Sequence, residues 1–599
     1  MRDVKTCIWK RNAPKDIIKL SKQATHEEVK GVKKRIVSVL LTAAMAVSVV
    51  ACGSSEDEQK QNAAAEAGGE DNLYGYDNPV NIKIGISYPS NTDFQWYGDE
   101  TVTDNAWMDL YKENNIVPEI LYEVDQSQAE TKLSTAIMSG EYPDVFSVQG
   151  ADYKNYVESG DVADITDAFE KYASDELKKY MQADNGMAMD ALYMDGKLYG
   201  LPQITDPYLN CNMMFIRQDW LDNLGLDIPT TMEELKEVAH AFTYNDPDGN
   251  GKNDTYGLAL DGVNVINASI GTADPIFNAF GCYLGQDGMT YVKGEDGEIV
   301  WGASDSESMK EALQFLSDMY EDGSLAKDFI TMDFNQIFEE AGAGRCGIWF
   351  GPNWGGMQPA ADAAKNDPNA HVVAAVVPDG NSQGGTKAYA ESKPTTVYCV
   401  SSKCTNPEIL IKLFNLSVKY QNPDTCSADE YNMYFGDSKN YSGWKTSIIY
   451  ANPPSAGTTI YQHLTDAISS GDGSQLNTKE KENYDSIKAY MDAVAADKFD
   501  PQDPTQQRGI SLYTVYGDKN CGFSVVKTME DNERYVDAAY NQIPSEAVTN
   551  SIPTLQKLLV ETIVKITTGA ENVDSYDSFM ETWKAMGGQD AIDEANENA

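Results

Sequence analysis

The side chains with the clearest chemical potential lie in one acidic loop at residues 246–254 (DPDGNGKND). Acidic and amide residues alternate there, and Gly251 stands at the sixth position, as in loops that wrap a calcium ion with oxygen ligands. The candidate ligands are the side chains of Asp246, Asp248, Asn250 and Asp254 and the backbone carbonyl of Lys252. The twelfth position is Gly257 in place of the usual bidentate Glu. The pattern therefore predicts a weak structural calcium site, and the alternative is a solvated turn between two elements.

Histidines and cysteines give no comparable signal. The four histidines, His26, His240, His371 and His463, contain no pair with metal-ligand spacing. Beyond residue 52 the cysteines are scattered, odd in number and without a CxxC pair, at Cys211, Cys282, Cys346, Cys399, Cys404, Cys426 and Cys521. This pattern favours buried free thiols over a disulfide framework, although a single bridge such as Cys399–Cys404 stays open. No histidine stands out as the partner of a catalytic cysteine.

The charge balance narrows the class of partner. The 599 residues include 93 Asp and Glu but only 46 Lys and Arg, a net charge of −47. Nucleic acid needs a basic face, so we expect no nucleic-acid partner. Molecules with this net negative charge repel one another, which fits a soluble monomer at or outside the cell surface. The length predicts two or more domains.

The N-terminal region reads as a targeting segment. Residues 36–51 carry no charge and follow Lys33, Lys34 and Arg35, which is typical of a secretory signal too short to span a bilayer. The stretch VVACGSS at 49–55 resembles a bacterial lipobox, in which Cys52 would carry the lipid; a plain signal peptide with an incidental Cys is the alternative. We expect residues 1–51 to be removed, with translation starting near Val32. Residues 52–79, polar and acidic, would form a flexible tether to the cell membrane.

The rest of the chain alternates strand and helix patterns, which indicates βαβ units and an α/β fold. Strands are predicted over residues 80–87, 118–122, 143–148, 213–217, 344–350 and 372–377. Helices are predicted over residues 104–114, 126–140, 306–321, 407–419 and 556–566. Gly140 should close the second of these helices. A capping box formed by Thr230 or Thr231 with Glu233 or Glu234 should begin another helix.

Several of these landmarks together resemble a known family. The matching stretches are SGEYPDVFSV (139–148), DGKLYGLP (195–202), FIRQDWLDNLGLDIPTTMEEL (215–235), EDGSLAKDF (321–329), GRCGIWFGP (344–352) and NPEILIKLFNL (406–416). In this order they resemble the bacterial extracellular solute-binding proteins related to maltodextrin- and alginate-oligosaccharide-binding proteins, which are the capture subunits of ABC importers. The resemblance covers about residues 80–570. Members similar to the alginate-binding branch carry a structural calcium in a loop like 246–254.

The resemblance implies a two-lobed, periplasmic-binding-protein-like fold of type II, with mixed, mostly parallel sheets and crossing segments between lobes. We expect the first lobe at 80–205, the second at 206–385, and a return to the first lobe with C-terminal helices at 386–599. Aromatic, amide and carboxylate residues near the lobe junctions and strand ends suit a sugar, whose C–H faces stack on rings while its hydroxyls need polar partners. The expected solute contacts are Asp93, Trp96, Tyr97, Asp206, Tyr208, Asn210, Trp349, Asn353, Trp354 and Glu391. Core packing is the alternative for each aromatic, above all for Trp349 inside a predicted strand.

These observations predict a lipid-anchored, extracellular receptor that captures an oligosaccharide or related solute and delivers it to the membrane subunits of an ABC permease. It would not be an enzyme. Two alternatives remain at this stage. An anchored glycan-active enzyme would need a pair of carboxylates across one bond. A surface sensor would pass its ligand signal to a membrane kinase.

Overall fold

The computed structural model describes most of the chain from residue 72 onward. The described residues are 72–88, 100–205, 207–208, 211–285, 287–294, 296–380, 386–390, 392–438, 441–453, 456–517 and 519–598. The predicted signal segment, Cys52 and most of the predicted tether lie outside them. Residues 69–599 form one unit. Within the described ranges, no helix is both long and apolar enough to cross a bilayer.

The strands are short, and most belong to two sheets. In chain order they are β1 (Val80–Tyr88), β2 (Ile116–Asp125), β3 (Val145–Gln149), β4 (Tyr193–Met194), β5 (Lys197–Leu198), β6 (Gly200–Pro202), β7 (Met213–Arg217), β8 (Tyr256–Leu258), β9 (Tyr291–Lys293), β10 (Ile299–Trp301), β11 (Cys346–Gly351), β12 (Val372–Ala375), β13 (Ala388–Ala390), β14 (Thr396–Val400), β15 (Asp437–Ser438), β16 (Tyr441–Ser442) and β17 (Tyr535–Asp537).

Helices surround these strands and make up most of the C-terminal third. In the first part of the chain they are α1 (Ala106–Glu113), α2 (Ala129–Ser139), α3 (Gly150–Glu158), α4 (Thr166–Tyr172), α5 (Asp175–Met181), α6 (Met187–Asp190), α7 (Gln218–Leu224), α8 (Met232–Tyr244), α9 (Asp274–Ala279), α10 (Ser306–Asp322), α11 (Phe334–Gly342) and α12 (Met357–Asn366). The later helices are α13 (Ile409–Tyr420), α14 (Ala428–Tyr434), α15 (Ala456–Ser470), α16 (Thr478–Ala495), α17 (Pro504–Tyr516), α18 (Gly522–Asp531), α19 (Glu546–Thr567), α20 (Ser575–Trp583) and α21 (Gln589–Glu597).

The first lobe is built on a five-stranded sheet with the order β2-β1-β3-β14-β6. β1 pairs in parallel with β2 and β3, whereas β14 runs antiparallel to β3 and β6. The alternation that predicted β1 has a direct structural cause, because Ile82 and Ile84 are buried in the core while Lys83 between them is exposed. The sheet is therefore mixed, with its parallel part formed by the βαβ units.

The second lobe contains a four-stranded sheet with the order β12-β7-β11-β8. β11 is parallel to β8, and β7 is antiparallel to both β11 and β12. Trp220 and Phe242 meet edge to face beneath it, with ring centroids 5.2 Å apart. Gly347 on β11 is required there, because a Cβ at this position would lie 2.2 Å from the Phe242 ring.

The backbone passes between two separate hydrophobic cores three times. The first passage leads from Ile204 in the first core to Cys211 in the second. The chain returns between Ala388 in the second core and Val397 in the first, and it leaves again between Ala451 in the first core and Tyr461 in the second. β13, just before the second passage, pairs in parallel with β17 from the far end of the chain. Two sheets, each with its own core and joined by crossing segments, form the two-lobed α/β fold that the resemblance implied.

The helices after the third passage pack on the second lobe or form a layer of their own. α15, α16 and α17 share a small core that includes Leu464, Ile487 and Leu512. Near the C-terminus, Trp583 stacks on Trp301 of β10 with ring centroids 4.1 Å apart. The expected lobe limits at residues 205/206 and 385/386 stay predictions.

Local signals at helix ends agree with the structure. Gly140 ends α2 in the left-handed region, with φ of 82°. Thr231 and Glu234 form the capping box that begins α8. The seven described cysteines are free thiols, five buried and two half-buried. Burial raises the pKa of the Cys404 thiol to about 11, so it stays protonated at neutral pH.

Candidate functional site

The sequence-based solute contacts fall into two groups. Four of them, Tyr208, Trp349, Asn353 and Trp354, lie among the described residues. The others lie outside the described residues, as does the lipidation candidate Cys52: Asp93, Trp96, Tyr97, Asp206, Asn210 and Glu391. The structure therefore bears on the first group alone, and solute contact by any of the ten stays a prediction.

Trp349 and Trp354 have opposite environments, although they are close in sequence. Trp349 on β11 is fully buried, stacks on Phe215, and donates from Nε1 to the carbonyl of Gly355 at 3.1 Å. It presents no ring face to solvent in this conformation. Trp354 follows the C-terminal end of β11 and is 42% exposed. Asn353 beside it is buried, with 7% exposed.

Tyr208 lies at the first passage between the lobes. Its ring centroid is 4.3 Å from that of Tyr535 on β17, and its hydroxyl accepts a hydrogen bond from Asn185 at 3.3 Å. Asn185 belongs to the first lobe and Tyr535 to the second-lobe side of the crossing region. Tyr208 therefore contacts residues of both lobes at the first crossing.

A cavity of about 290 Å³ opens on the first lobe, beside the C-terminal ends of β1 and β2. Sequence reasoning did not find it. Its lining residues are Gly85, Ile86, Ser87, Gln126, Val145, Phe146, Ser147, Tyr398, Trp444, Lys445, Thr446, Ser447, Ile448 and Tyr450. The ends of parallel strands are where α/β proteins bind ligands. The volume is near the lower end of the usual range for small-molecule sites, about 300–1,000 Å³, so this lobe alone would hold part of a larger ligand.

One wall of this first-lobe cavity, residues 443–451, is held by side chains. Tyr111 accepts a hydrogen bond from the backbone N–H of Ile448 at 3.0 Å, and Tyr398 accepts one from Tyr450 at 3.1 Å. Gln421 donates to the Ile449 carbonyl at 2.9 Å and accepts from the Ala451 N–H at 2.9 Å. Burial raises the pKa of Tyr398 to about 12, so its hydroxyl stays neutral. These bonds fix a segment that leads directly into the third passage between lobes.

The first-lobe cavity combines aromatic rings with small polar side chains. Trp444 and Tyr450 lie with ring centroids 4.9 Å apart at an angle of 52°. Ser87 and Ser147, on neighbouring strands, are exposed at its floor. Rings of this kind can stack on an apolar ligand face, and hydroxyls can exchange hydrogen bonds with it. No Asp or Glu is among the described residues of this lining.

A larger cavity, of about 910 Å³, lies in the second lobe. Its charged lining residues have both signs and are Lys293, Asp305, Asp379, Lys387 and Asp537. All of its walls come from second-lobe elements and from the β13–β17 pair. Movement of one lobe toward the other would therefore not enclose a ligand there. The first-lobe cavity, at the ends of parallel strands, is the candidate solute site.

The acidic loop at 246–254 connects α8 to β8 and is ordered by its own side chains. Both carboxylate oxygens of Asp246 accept from the Gly251 N–H, at 3.1 and 3.0 Å. The Asn250 amide donates to Asp248 at 2.6 Å and to Asp254 at 3.1 Å. Burial, with Asp246 and Asp254 nearby, raises the pKa of Asp248. Within the described ranges, no three His, Cys, Asp or Glu side chains are arranged as a metal site.

The oxygen-rich chemistry of this acidic loop fits a hard cation. The Asn250 amide contacts Asp248 and Asp254, and the nearby carboxylates of Asp246 and Asp254 add to the effect of burial in raising the pKa of Asp248. The side chains of Asp246, Asp248, Asn250 and Asp254 are the residues that would hold such a cation, which would supply positive charge to the loop.

Two lobes, three crossings and a ligand-sized cavity at the strand ends define a solute-binding protein. Comparison with known families agrees. The family model for "Bacterial extracellular solute-binding protein" matches residues 97–416, more than half of the 599-residue chain. The chain belongs to this family.

Curated relatives share part of this sequence. The chain is 30% identical over 258 residues to the polygalacturonan/rhamnogalacturonan-binding protein YtcQ of Bacillus subtilis, covering 43% of this chain and 48% of that protein. It is 30% identical over 227 residues to Lipoprotein LipO of the same species, covering 38% of this chain and 42% of that protein. The chain thus spans about half the length of the curated relatives it matches.

Solved structures share the fold over a longer stretch. The Streptococcus pneumoniae ABC-transporter substrate-binding protein FusA in complex with kestose superposes with a TM-score of 0.53 at 17% identity, covering 87% of this chain and 98% of that one. A second FusA structure, of an EF-hand mutant with fructo-nystose, has a TM-score of 0.55 at 17% identity, with the same coverage of 87% and 98%. At this identity the likeness concerns the fold.

The bonds that hold the 443–451 wall can be tested by hydrogen exchange. Tyr398→Phe keeps the ring but removes the acceptor for the Tyr450 N–H. Because one such bond contributes ~0.5–1.5 kcal/mol, we expect peptides spanning 443–451 to exchange about three- to tenfold faster by mass spectrometry. Tyr193→Phe, at an exposed tyrosine, is the control. Unchanged exchange in the Tyr398 variant would mean that other contacts hold the wall.

Proposed function

We propose that this protein is the extracellular, lipid-anchored solute-binding subunit of an ABC importer, which captures an oligosaccharide between its lobes and delivers it to the permease. The first-lobe cavity carries the proposal, because Trp444 and Tyr450 lie there beside small polar groups at the ends of β1 and β2. The relatives support a saccharide as the solute, since YtcQ is a polygalacturonan/rhamnogalacturonan-binding protein and FusA was solved in complex with kestose.

Binding would proceed without covalent chemistry. A sugar ring would stack on Trp444, while Ser87, Gln126 and Ser147 exchange hydrogen bonds with its hydroxyls. The second lobe would then rotate about the three crossings and cover the exposed part of the sugar. Trp354, which is exposed on that lobe, would offer a second ring. The closed form would be the one that docks on the permease. Opening would release the solute unchanged.

The lining of the first-lobe cavity argues against hydrolysis there. Glycoside hydrolysis by the usual route needs two carboxylic acids on either side of the bond, at separations of about 5–10 Å. Among the described lining residues of the first-lobe cavity there is neither Asp nor Glu. Membership of the solute-binding family supports a binding role over a glycan-active enzyme. No observation favours a sensor over an importer subunit.

The function is tested with a panel of oligosaccharides in thermal-shift and calorimetric titrations. We expect at least one to raise the unfolding temperature, since a ligand that binds only the folded state stabilises it, and we expect no new reducing ends. Trp444→Ala should weaken that binding about tenfold or more, which corresponds to ~1.4 kcal/mol. Tyr193→Ala, at an exposed tyrosine on β4, serves as the matched control. Turnover of the sugar, or a response to peptides alone, would contradict the proposal.

Anchoring is the second element of the proposal. The VVACGSS stretch and the acidic segment after Cys52 support a lipid on that cysteine, and the relative LipO is named a lipoprotein. We expect the chain in the membrane fraction of expressing bacteria, and Cys52→Ser in the culture medium or the soluble fraction. Unchanged fractionation of the Cys52→Ser protein would show that Cys52 is not the anchor.

The third element is a structural calcium in the acidic loop, held by the side chains of Asp246, Asp248, Asn250 and Asp254 and the Lys252 carbonyl. The structure of a FusA EF-hand mutant supports this element, because it shows that FusA has a loop of the EF-hand type. Calcium would supply positive charge among like-charged carboxylates and fix the α8–β8 connection; it would take no part in chemistry.

Asp248 makes the stability of the acidic loop depend on pH and on calcium. The raised pKa of Asp248 means that, without metal, its contribution to stability is largest at acidic pH and is lost as the pH rises through its folded-state pKa. We expect 10 mM Ca²⁺ at neutral pH to stabilise the protein by about 1.4–2.7 kcal/mol for a dissociation constant of about 0.1–1 mM. Asp248→Asn should abolish this gain without lowering the metal-free unfolding temperature. Asp227→Asn, at an exposed site, should keep the gain. No response of the wild-type protein to Ca²⁺ would contradict the assignment.

A further inference from the structure

The charge of the first-lobe cavity is unlike that of the chain. Over the whole sequence, 93 acidic residues face 46 basic ones. Along the described lining of this cavity the balance is reversed, with Lys445 as the one charged residue. A single base in a ligand-sized recess of a strongly acidic protein is a local feature that the overall composition does not explain.

Lys445 has no anionic partner within the part of the chain that the structure describes. Its Nζ lies 5.3 Å from the ring centroid of Trp444, and no ion pair with a described carboxylate accompanies that contact. Other lysines of this protein do find such partners, as Lys236 does with Asp318 at 2.7 Å and Lys393 with Asp287 at 2.8 Å. Lys445 is half-buried on the 443–451 wall, so its ammonium group is partly removed from water.

A partly desolvated ammonium group in a recess gains most from a negative charge brought to it. Inside a recess the Coulomb attraction is less screened than on an open surface, and a charge-assisted hydrogen bond is about twice as strong as a neutral one. Trp444 beside it offers the stacking face that a sugar ring needs. Together the two side chains match a ring that bears both an apolar face and a carboxylate.

We propose that the solute is an acidic oligosaccharide, with Lys445 pairing with a sugar carboxylate while Trp444 stacks on the same or the adjoining ring. This inference rests on the proposed function and adds the class of solute. Lys445 is then the residue that distinguishes acidic from neutral saccharides of the same shape. Neutral members of a sugar series would bind through stacking and hydroxyl contacts alone.

The test compares each acid with its own neutral form. Trisaccharides of galacturonate, mannuronate and glucuronate are titrated by calorimetry against their methyl esters, which keep the ring and the linkage but remove the charge. We expect at least one acid to bind the wild-type protein tenfold or more tightly than its ester. Lys445→Met should reduce that ratio to about twofold or less, chiefly by weakening the acid, and Lys445→Arg should keep most of it. Lys403→Met is the matched control, because Lys403 also lies over an aromatic ring, that of Tyr142, outside the cavity.

The outcomes distinguish the acidic-solute inference from the proposed solute-binding function on which it rests. Equal binding of acids and esters, binding of neutral sugars alone, or a ratio that survives Lys445→Met would overturn the acidic-solute inference and leave the importer subunit standing. Failure of every saccharide, acidic or neutral, would overturn the proposed function and this inference with it. An unchanged unfolding temperature in Lys445→Met shows that any loss of binding comes from the site and not from the fold.

Discussion

Each lobe of this protein buries its own hydrophobic core, and the backbone passes from one core to the other in three short segments. The first core is completed by β14 and α13, which lie far along the chain from β1, so the chain passes through the second lobe before it supplies the last elements of the first. Because packed cores resist deformation, relative motion is concentrated in the segments between them. Tyr208, which contacts both sides of the first crossing, lies where such motion would be felt.

The position of the first-lobe cavity follows from this arrangement. Its floor consists of strands β1 and β3, and its wall is the segment that ends in the third crossing. Rotation of the second lobe would therefore act close to the proposed solute site. The wall has no strand partners of its own over 443–451, and it depends on Tyr111, Tyr398 and Gln421 for its shape. A binding surface held by tertiary hydrogen bonds can be altered in composition without changing either sheet.

The elements that the sequence predicted well are those with short-range physical causes. β1 is visible because Ile82 and Ile84 alternate with exposed residues, and α8 because Thr231 and Glu234 cap its first turn. The order of family landmarks correctly indicated two α/β lobes. Solute contacts expected at Asp93, Trp96, Tyr97, Asp206, Asn210 and Glu391 lie outside the described residues and stay predictions, as does the calcium loop. Trp444 and Tyr450 were missed because they follow no helix or strand period, and their segment is held by hydrogen bonds to side chains distant in sequence, among them Tyr111, Tyr398 and Gln421.

Small-angle X-ray scattering, with and without a saccharide that raises the unfolding temperature, tests the two-lobed capture of an intact solute most directly. If the second lobe swings onto the first around a held sugar, the radius of gyration falls at saturating ligand, returns on dialysis, and the sugar is recovered unaltered. An unchanged radius of gyration with bound sugar, or recovery of the sugar as fragments, would contradict reversible capture of an intact solute between two lobes.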